Sequence, residues 1–123
     1  MGFTGNGRKE KNKMKILYLT LKKEPFKVMV TGEKQVEIRE KTRWMTLRLY
    51  DRNGRERKYD AVKFVNGYGK NKPYFIAKYL GFETIFGADV TYSNGFHLEV
   101  NKESWMINLG GIIESGNLKS SEA

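Results

Sequence analysis

The amino-acid sequence predicts a small α+β domain, a closed or half-closed β-barrel carrying one or two short helices. Three observations lead there. A chain of 123 residues suffices for one hydrophobic core and not for two. Five to seven short apolar or alternating runs are separated by Gly, Asn, Asp and Pro turn signals. One segment, around Phe26, Met29 and Val30, has apolar residues at helical spacing. Hydrophobic residues make up only 39% of the chain, but seven Tyr, seven Phe and two Trp supply large rings that bury much area each.

Residues 1–13 read as a disordered basic tail, with three glycines, five charges and no periodicity. Residues 14–114 form the expected domain, and residues 115–123 a frayed polar end. Met14 to Leu21 is a strand whose apolar residues fall on both faces, which predicts cover on both sides. Lys23-Glu24-Pro25 opens a helix, since proline suits the first turn and an acid suits the positive dipole end. Gly32 closes it in the left-handed cap. Gln35 to Lys41 alternates as a strand. Thr42 to Tyr50 alternates basic and apolar residues, with Arg43, Met45, Leu47 and Leu49 on one side, and reads as strand or extended connection. Asn53-Gly54 marks a turn. Tyr59 to Gly67 is a strand, residues 67–73 a loop, and Tyr74 to Phe86 a long strand bent at Gly81. A second loop holds Gly87, Asp89, Ser93, Asn94 and Gly95. Phe96 to Val100 and Trp105 to Leu109 are closing strands, and Gly110-Gly111 precedes Ile112-Ile113.

The net charge of +9 is unevenly spread. Residues 1–15 carry +4, 16–38 carry +1, 39–58 carry +5 and 59–123 carry −1. A localised basic block suits a polyanion, because each phosphate neutralised releases condensed counterions. A solvated basic surface that aids solubility accounts for the charge equally well. The absence of cysteine excludes a disulfide framework, a thiolate zinc site and a cysteine nucleophile. His97 is the only histidine, so a metal site would need carboxylates alone and none is expected; no cofactor is expected either. Serine-histidine-acid catalysis has no supporting spacing. No signal-peptide run and no membrane span is present, which makes the cytoplasm the expected location and a membrane partner unexpected.

The chemistry concentrates in Gly32-Glu33-Lys34-Gln35-Val36-Glu37-Ile38-Arg39. Strand alternation puts Gln35, Glu37 and Arg39 on one face and Val36 and Ile38 on the other, where they can anchor in the core. Lys34 stands at the start of the strand. Two cations flanking one carboxylate offer an acceptor and two donors to a nucleobase or phosphate. From spacing alone, a surface ion network on an exposed strand is the simpler account.

Gly32, Lys34, Glu37 and Arg39 resemble the G-x-K-x-x-E-x-R motif of ASCH domains. Trp105-Met106-Ile107-Asn108-Leu109-Gly110-Gly111-Ile112-Ile113 is similar to the closing stretch of many members. The resemblance covers about residues 14–114 and implies a PUA-like β-barrel, with Lys34, Glu37 and Arg39 lining a cleft for RNA or a nucleotide. It also brings alternatives: a small amidohydrolase of N4-acylated cytidines, or an RNA-cleaving enzyme, using Lys34 and Glu37. Amidohydrolase-type relatives carry Thr three residues after the lysine, where this chain has Glu37, and a carboxylate is a poor acyl acceptor. Glu37 could act as general base for water with Lys34 stabilising an oxyanion, given a second polar group such as Glu83 or Asp89. Binding therefore ranks above catalysis. A basic protein-interaction module is a further alternative.

Trp44, Tyr68 and Tyr74 lie near Arg43, Lys70 and Lys72, an interleaving that suits single-stranded nucleic acid. Tyr74 is expected in the core, whereas Arg43, Trp44 and Tyr68 join the candidate ligand face. Gly67-Tyr68-Gly69-Lys70 lacks the spacing of a phosphate loop and reads as a turn walling a cleft.

Overall fold

The computed structural model describes residues 13–119; most of the expected basic tail, and residues 120–123 of the frayed end, lie outside them. In chain order the elements are β1 (Ile16–Leu21), α1 (Lys23–Val30), β2 (Val36–Glu40), α2 (Arg43–Leu49), β3 (Ala61–Asn66), β4 (Tyr74–Ile85), β5 (Ala88–Thr91), β6 (His97–Val100) and β7 (Ser104–Gly116). The chain is thus a small α+β unit, mostly β with two short helices.

Five strands form one sheet in the order β1-β3-β4-β7-β2, and β5 and β6 form a separate hairpin. β1 runs parallel to β3, and the other neighbours are antiparallel. The sheet curls into a half-barrel. The curl has a local cause. The β4–β7 ladder shifts register three times between Ile76 and Phe82, and Gly81 sits at φ +95° in that stretch. Extra residues of this kind bend a strand and increase its twist.

Inside the curl, Leu17, Leu19 and Leu21 of β1 meet Phe26 and Met29 of α1, Val62 and Phe64 of β3, Phe75 and Ala77 of β4, and Ile107 and Leu109 of β7. The ring of Phe75 stacks on Phe64 at 5.0 Å between centroids and tilts against Phe26 at 5.4 Å. Phe26 and Met29 lie on one helical face as their spacing requires.

The structure corrects several expectations. Residues 43–49 are helical, not extended. The Thr42 side chain accepts a hydrogen bond from the Met45 backbone N–H at 3.1 Å, and Met45 and Leu49, one turn apart, are both buried. Apolar residues at 45, 47 and 49 satisfy a strand period, but only the i, i+4 pair is buried, while Leu47 is exposed. β1 is covered on one face only: Leu17, Leu19 and Leu21 are buried, while Tyr18 on the outer face is 62% exposed. Tyr74 is half-exposed on the outer face, its hydroxyl donating to Glu114 at 2.6 Å and its ring under the Lys63 ammonium. The expected loop around Asp89 to Gly95 is the β5–β6 hairpin, with only Tyr92 to Phe96 as its tip. Trp105 to Leu109 and the segment after it are one continuous strand reaching Gly116, past the expected frayed boundary, and Leu118 packs against the core. Among the described residues, no helix is long and apolar enough to cross a membrane.

Candidate functional site

The Gly32 to Arg39 segment joins α1 to β2. Helix α1 ends at Thr31, whose hydroxyl donates to the Val28 carbonyl at 2.8 Å. Gly32 follows at φ +89°, its N–H reaching the Met29 carbonyl at 3.0 Å. Nothing lies within 4 Å of where a Cβ would stand at this glycine, so the left-handed backbone, not lack of room, demands it. The reversal returns Lys34 beneath α1, its N–H on the Val28 carbonyl at 3.3 Å.

β2 then pairs with β7, with Glu37 opposite Ile107 and Arg39 opposite Trp105. Opposed residues share a face, and Ile107 is fully buried, so Glu37 points inward. This inverts the expected arrangement: Val36 and Ile38 are only half-buried, while Lys34 is 3% and Glu37 6% exposed.

The Lys34 ammonium donates to the Val36 carbonyl at 2.5 Å, to Glu37 Oε1 at 3.2 Å and to Met29 Sδ at 3.5 Å. Glu37 Oε2 accepts from Arg39 Nε at 2.6 Å. Arg39 Nη2 crosses to the Thr20 carbonyl of β1 at 2.8 Å. Since β1 and β2 are the two edges of the sheet, a guanidinium bridges the seam of the half-barrel where no backbone ladder does. Burial pushes the Lys34 ammonium below its ordinary pKa of 10.5; the Glu37 carboxylate opposes that shift and the Arg39 charge adds to it.

Donor arithmetic separates the roles. An ammonium has three N–H groups, and all three of Lys34's are engaged. A guanidinium has five, and Arg39 uses two. Arg39, with its side chain 25% exposed, is therefore the member able to meet a ligand, and Lys34 and Glu37 fix its direction. On the Lys34 side alone lies a cavity of about 120 Å³ lined by Met29, Lys34, Gln35, Phe75, Leu109 and Ile112, among others; neither Glu37 nor Arg39 lines it. Its walls are mainly apolar. An apolar cavity of roughly 150 Å³ takes a benzene ring, so this one is sized for a single planar ring or less.

The tip of the β5–β6 hairpin folds onto this segment, a neighbour the sequence reading treated only as loop. Glu33 accepts from the Ser93 hydroxyl at 2.5 Å and from the Ser93 N–H at 2.9 Å, and Asn94 Nδ2 donates to the Glu24 carbonyl at 3.1 Å. The hydrogen bonds from Ser93 hold the Glu33 carboxyl below its ordinary value. The Tyr92 hydroxyl is raised by burial, and then by the Glu33 and Glu37 carboxylates, which places Tyr92 in the electrostatic neighbourhood of the triad. Asn94-Gly95, between two alternating runs, was the available signal for this hairpin.

The other expected site residues are spread out. Arg43 is exposed in the first turn of α2. Trp44 is 52% exposed, with the Arg48 guanidinium 4.3 Å from its ring centroid. Tyr68 is 85% exposed in the β3–β4 loop. Among the described residues, no hydrogen bond, ion pair or ring contact joins Arg43, Trp44 or Tyr68 to the triad.

Neither proposed second acid crosses to Glu37. Glu83 lies opposite Met106, one register step from Ile107 and hence on the other face, where it accepts from Asn108 at 3.0 Å. Asp89 faces His97 Nε2 at 3.1 Å on the hairpin. Among the described residues, no group of three or more His, Cys, Asp or Glu is placed to hold a metal ion. Comparison of the chain with protein-family models, with curated proteins and with solved structures finds no match.

Proposed function

We propose that this chain is an ASCH-like, PUA-like domain of the cytoplasm that binds RNA or a nucleotide at the cleft formed by Lys34, Glu37 and Arg39. The observation that carries this reading is the state of Arg39. Its guanidinium is fixed by Glu37 and the Thr20 carbonyl, three N–H groups remain, and its side chain is partly exposed. A pre-oriented guanidinium suits bidentate contact with a phosphate or a base edge. The +5 charge of residues 39–58 adds long-range attraction, and the Trp44–Arg48 stack supplies an exposed platform for an unpaired base.

Binding is favoured over catalysis. A nucleoside amidohydrolase or RNA-cleaving reaction through Lys34 would need a free ammonium donor, and Lys34 has none to spare. Incubation with N4-acetylcytidine is accordingly expected to release no cytidine.

The test is fluorescence anisotropy of a labelled single-stranded RNA at several salt concentrations. Affinity should fall linearly in log–log form, with a slope of about −0.7 per phosphate engaged. Arg39→Gln should weaken binding about tenfold, which corresponds to ~1.4 kcal/mol. Salt-insensitive binding, or none to RNA or nucleotides, overturns the proposal. Binding to an acidic protein that RNA does not displace would favour the interaction-module alternative.

A further inference from the structure

A second concavity lies away from the triad, at the end of the half-barrel where three separate segments converge. Lys23 comes from the first turn of α1; Asn66, Lys70, Asn71 and Lys72 from the end of β3 and the loop after it; Asn117 and Lys119 follow β7. The space is about 460 Å³, and among the described residues no Asp or Glu lines it.

Composition alone does not produce this cluster. Residues 59–123 carry a net −1, yet Lys70, Lys72 and Lys119, half of the lysines in that stretch, line one cavity. Three lysines elsewhere are matched with acids, Lys41 with Glu103, Lys102 with Glu40 and Lys34 with Glu37. Among the described residues Lys23, Lys70 and Lys72 have no such partner, and like charges facing one concavity repel.

The loop that presents them is a formed structure. The Asn66 N–H donates to the Pro73 carbonyl at 2.9 Å, closing the loop at its base. Asn117 Nδ2 lies 3.4 Å from the Lys72 carbonyl, tying the segment after β7 to it. Asn71 and Asn117 both adopt left-handed backbone, at φ +58° and +55°, which asparagine tolerates better than most residues. The Lys72 stem folds back over Gly69, its Cε 3.7 Å from where a Cβ would stand there. The ammonium groups of Lys23, Lys70 and Lys72, with no ion-pair partner among the described residues, and amide donors around a preformed hollow suit an anion with several oxygens, and the volume admits more than one phosphate.

We infer that this cavity is a binding site for an oligophosphate chain, either free or as the triphosphate of a nucleotide. Lys23, Lys70 and Lys72 supply the charge, the Asn66 and Asn71 amides the directional contacts. Tyr68, exposed on the same loop, is placed to stack on a base when the phosphates belong to a nucleotide. The site is independent of Arg39 and stands whether or not the triad binds RNA.

The experiment is calorimetric titration of the full chain with sodium tripolyphosphate and, separately, with a nucleoside triphosphate, at low salt and without added metal. Lys70→Gln/Lys72→Gln should weaken tripolyphosphate at least tenfold, while Arg39→Gln leaves it within twofold. Unchanged melting temperatures will show that the variants fold. A nucleotide source is indicated if Tyr68→Ala weakens the triphosphate and not tripolyphosphate; equal behaviour indicates the free anion. Absent tripolyphosphate binding overturns the inference, as does an equal loss in Lys58→Gln/Lys78→Gln, which removes the same charge elsewhere.

Discussion

Replacing Glu37 by glutamine keeps the shape of the side chain and removes the one negative charge between two cations. Arg39, partly exposed, can turn toward water, but Lys34 cannot: its side chain is 2% exposed and Arg39 becomes its nearest charge of either sign within the triad. Removing one partner of a buried ion pair costs ~3–5 kcal/mol, and we expect the lower end because the Val36 carbonyl still accepts from Lys34. Lys34→Met leaves Glu37 paired with Arg39 and loses the hydrogen bonds to the Val36 carbonyl and to Glu37 Oε1, together about 2 kcal/mol. The glutamine variant should therefore be the weaker of the two, and Lys34→Met/Glu37→Gln more stable than Glu37→Gln alone. Urea unfolding at pH 7 measures this. The pH dependence gives a second reading. Folded Lys34 has a pKa below the 10.5 of the unfolded chain, so between those values the unfolded state binds more protons and stability rises with pH. Without Glu37 the folded value drops further and the window widens, so the deficit of Glu37→Gln should shrink as pH rises toward 10.5. A larger loss from Lys34→Met, or a Glu37→Gln variant as stable as the parent, would refute the buried-triad account.

Among the described residues the buried Tyr79 hydroxyl has no partner, and burial, with the Glu56 carboxylate adding to it, pushes its pKa up to about 12. An unsatisfied buried hydroxyl costs ~1–3 kcal/mol, so Tyr79→Phe should match or exceed the parent in thermal unfolding; a clear loss would reveal a bound water. Between pH 10 and about 12 the folded tyrosine keeps a proton that the unfolded one has lost, so stability falls with rising pH, and Tyr79→Phe should flatten that decline. Ser93→Ala should free the hairpin tip: amide exchange at residues 92–96 speeds up, the Glu33 carboxyl titrates nearer 4.5 by NMR, and the melting temperature barely moves. Unchanged exchange would show that the residue 93 N–H and Asn94 hold the tip without the hydroxyl.

Local chemistry made some of this structure legible and left other parts hidden. The Pro25 helix and its Gly32 cap depend on neighbours a few residues away, and both are where their residue types put them. Arg43 to Leu49 misleads because Met45, Leu47 and Leu49 satisfy a strand period while Met45 and Leu49 satisfy a helical one; Thr42 as a cap decides between them. The face of β2 was read backwards for a different reason. Valine and isoleucine ordinarily claim the core, but which face of a strand looks inward is set by its partner, and Ile107 lies far along the chain. The grouping of Lys34, Glu37 and Arg39 was visible in their spacing; that Arg39 reaches Thr20, and that Ser93 reaches Glu33, depends on how the sheet curls.

The pairing of β2 with β7 has a bearing on when the site exists. β2 has no other ladder partner, and its register from Val36–Asn108 to Glu40–Ser104 joins an early strand to the last one of the sheet. During synthesis, Lys34, Glu37 and Arg39 leave the ribosome long before β7, and the loop-closure cost of joining them falls due only once that strand arrives. Until then the stretch from Arg39 to Lys58 carries its +5 charge without an oriented guanidinium. The fixed arrangement of Lys34, Glu37 and Arg39 is thus acquired at the end of folding, and β2 docking is the step to watch in refolding kinetics.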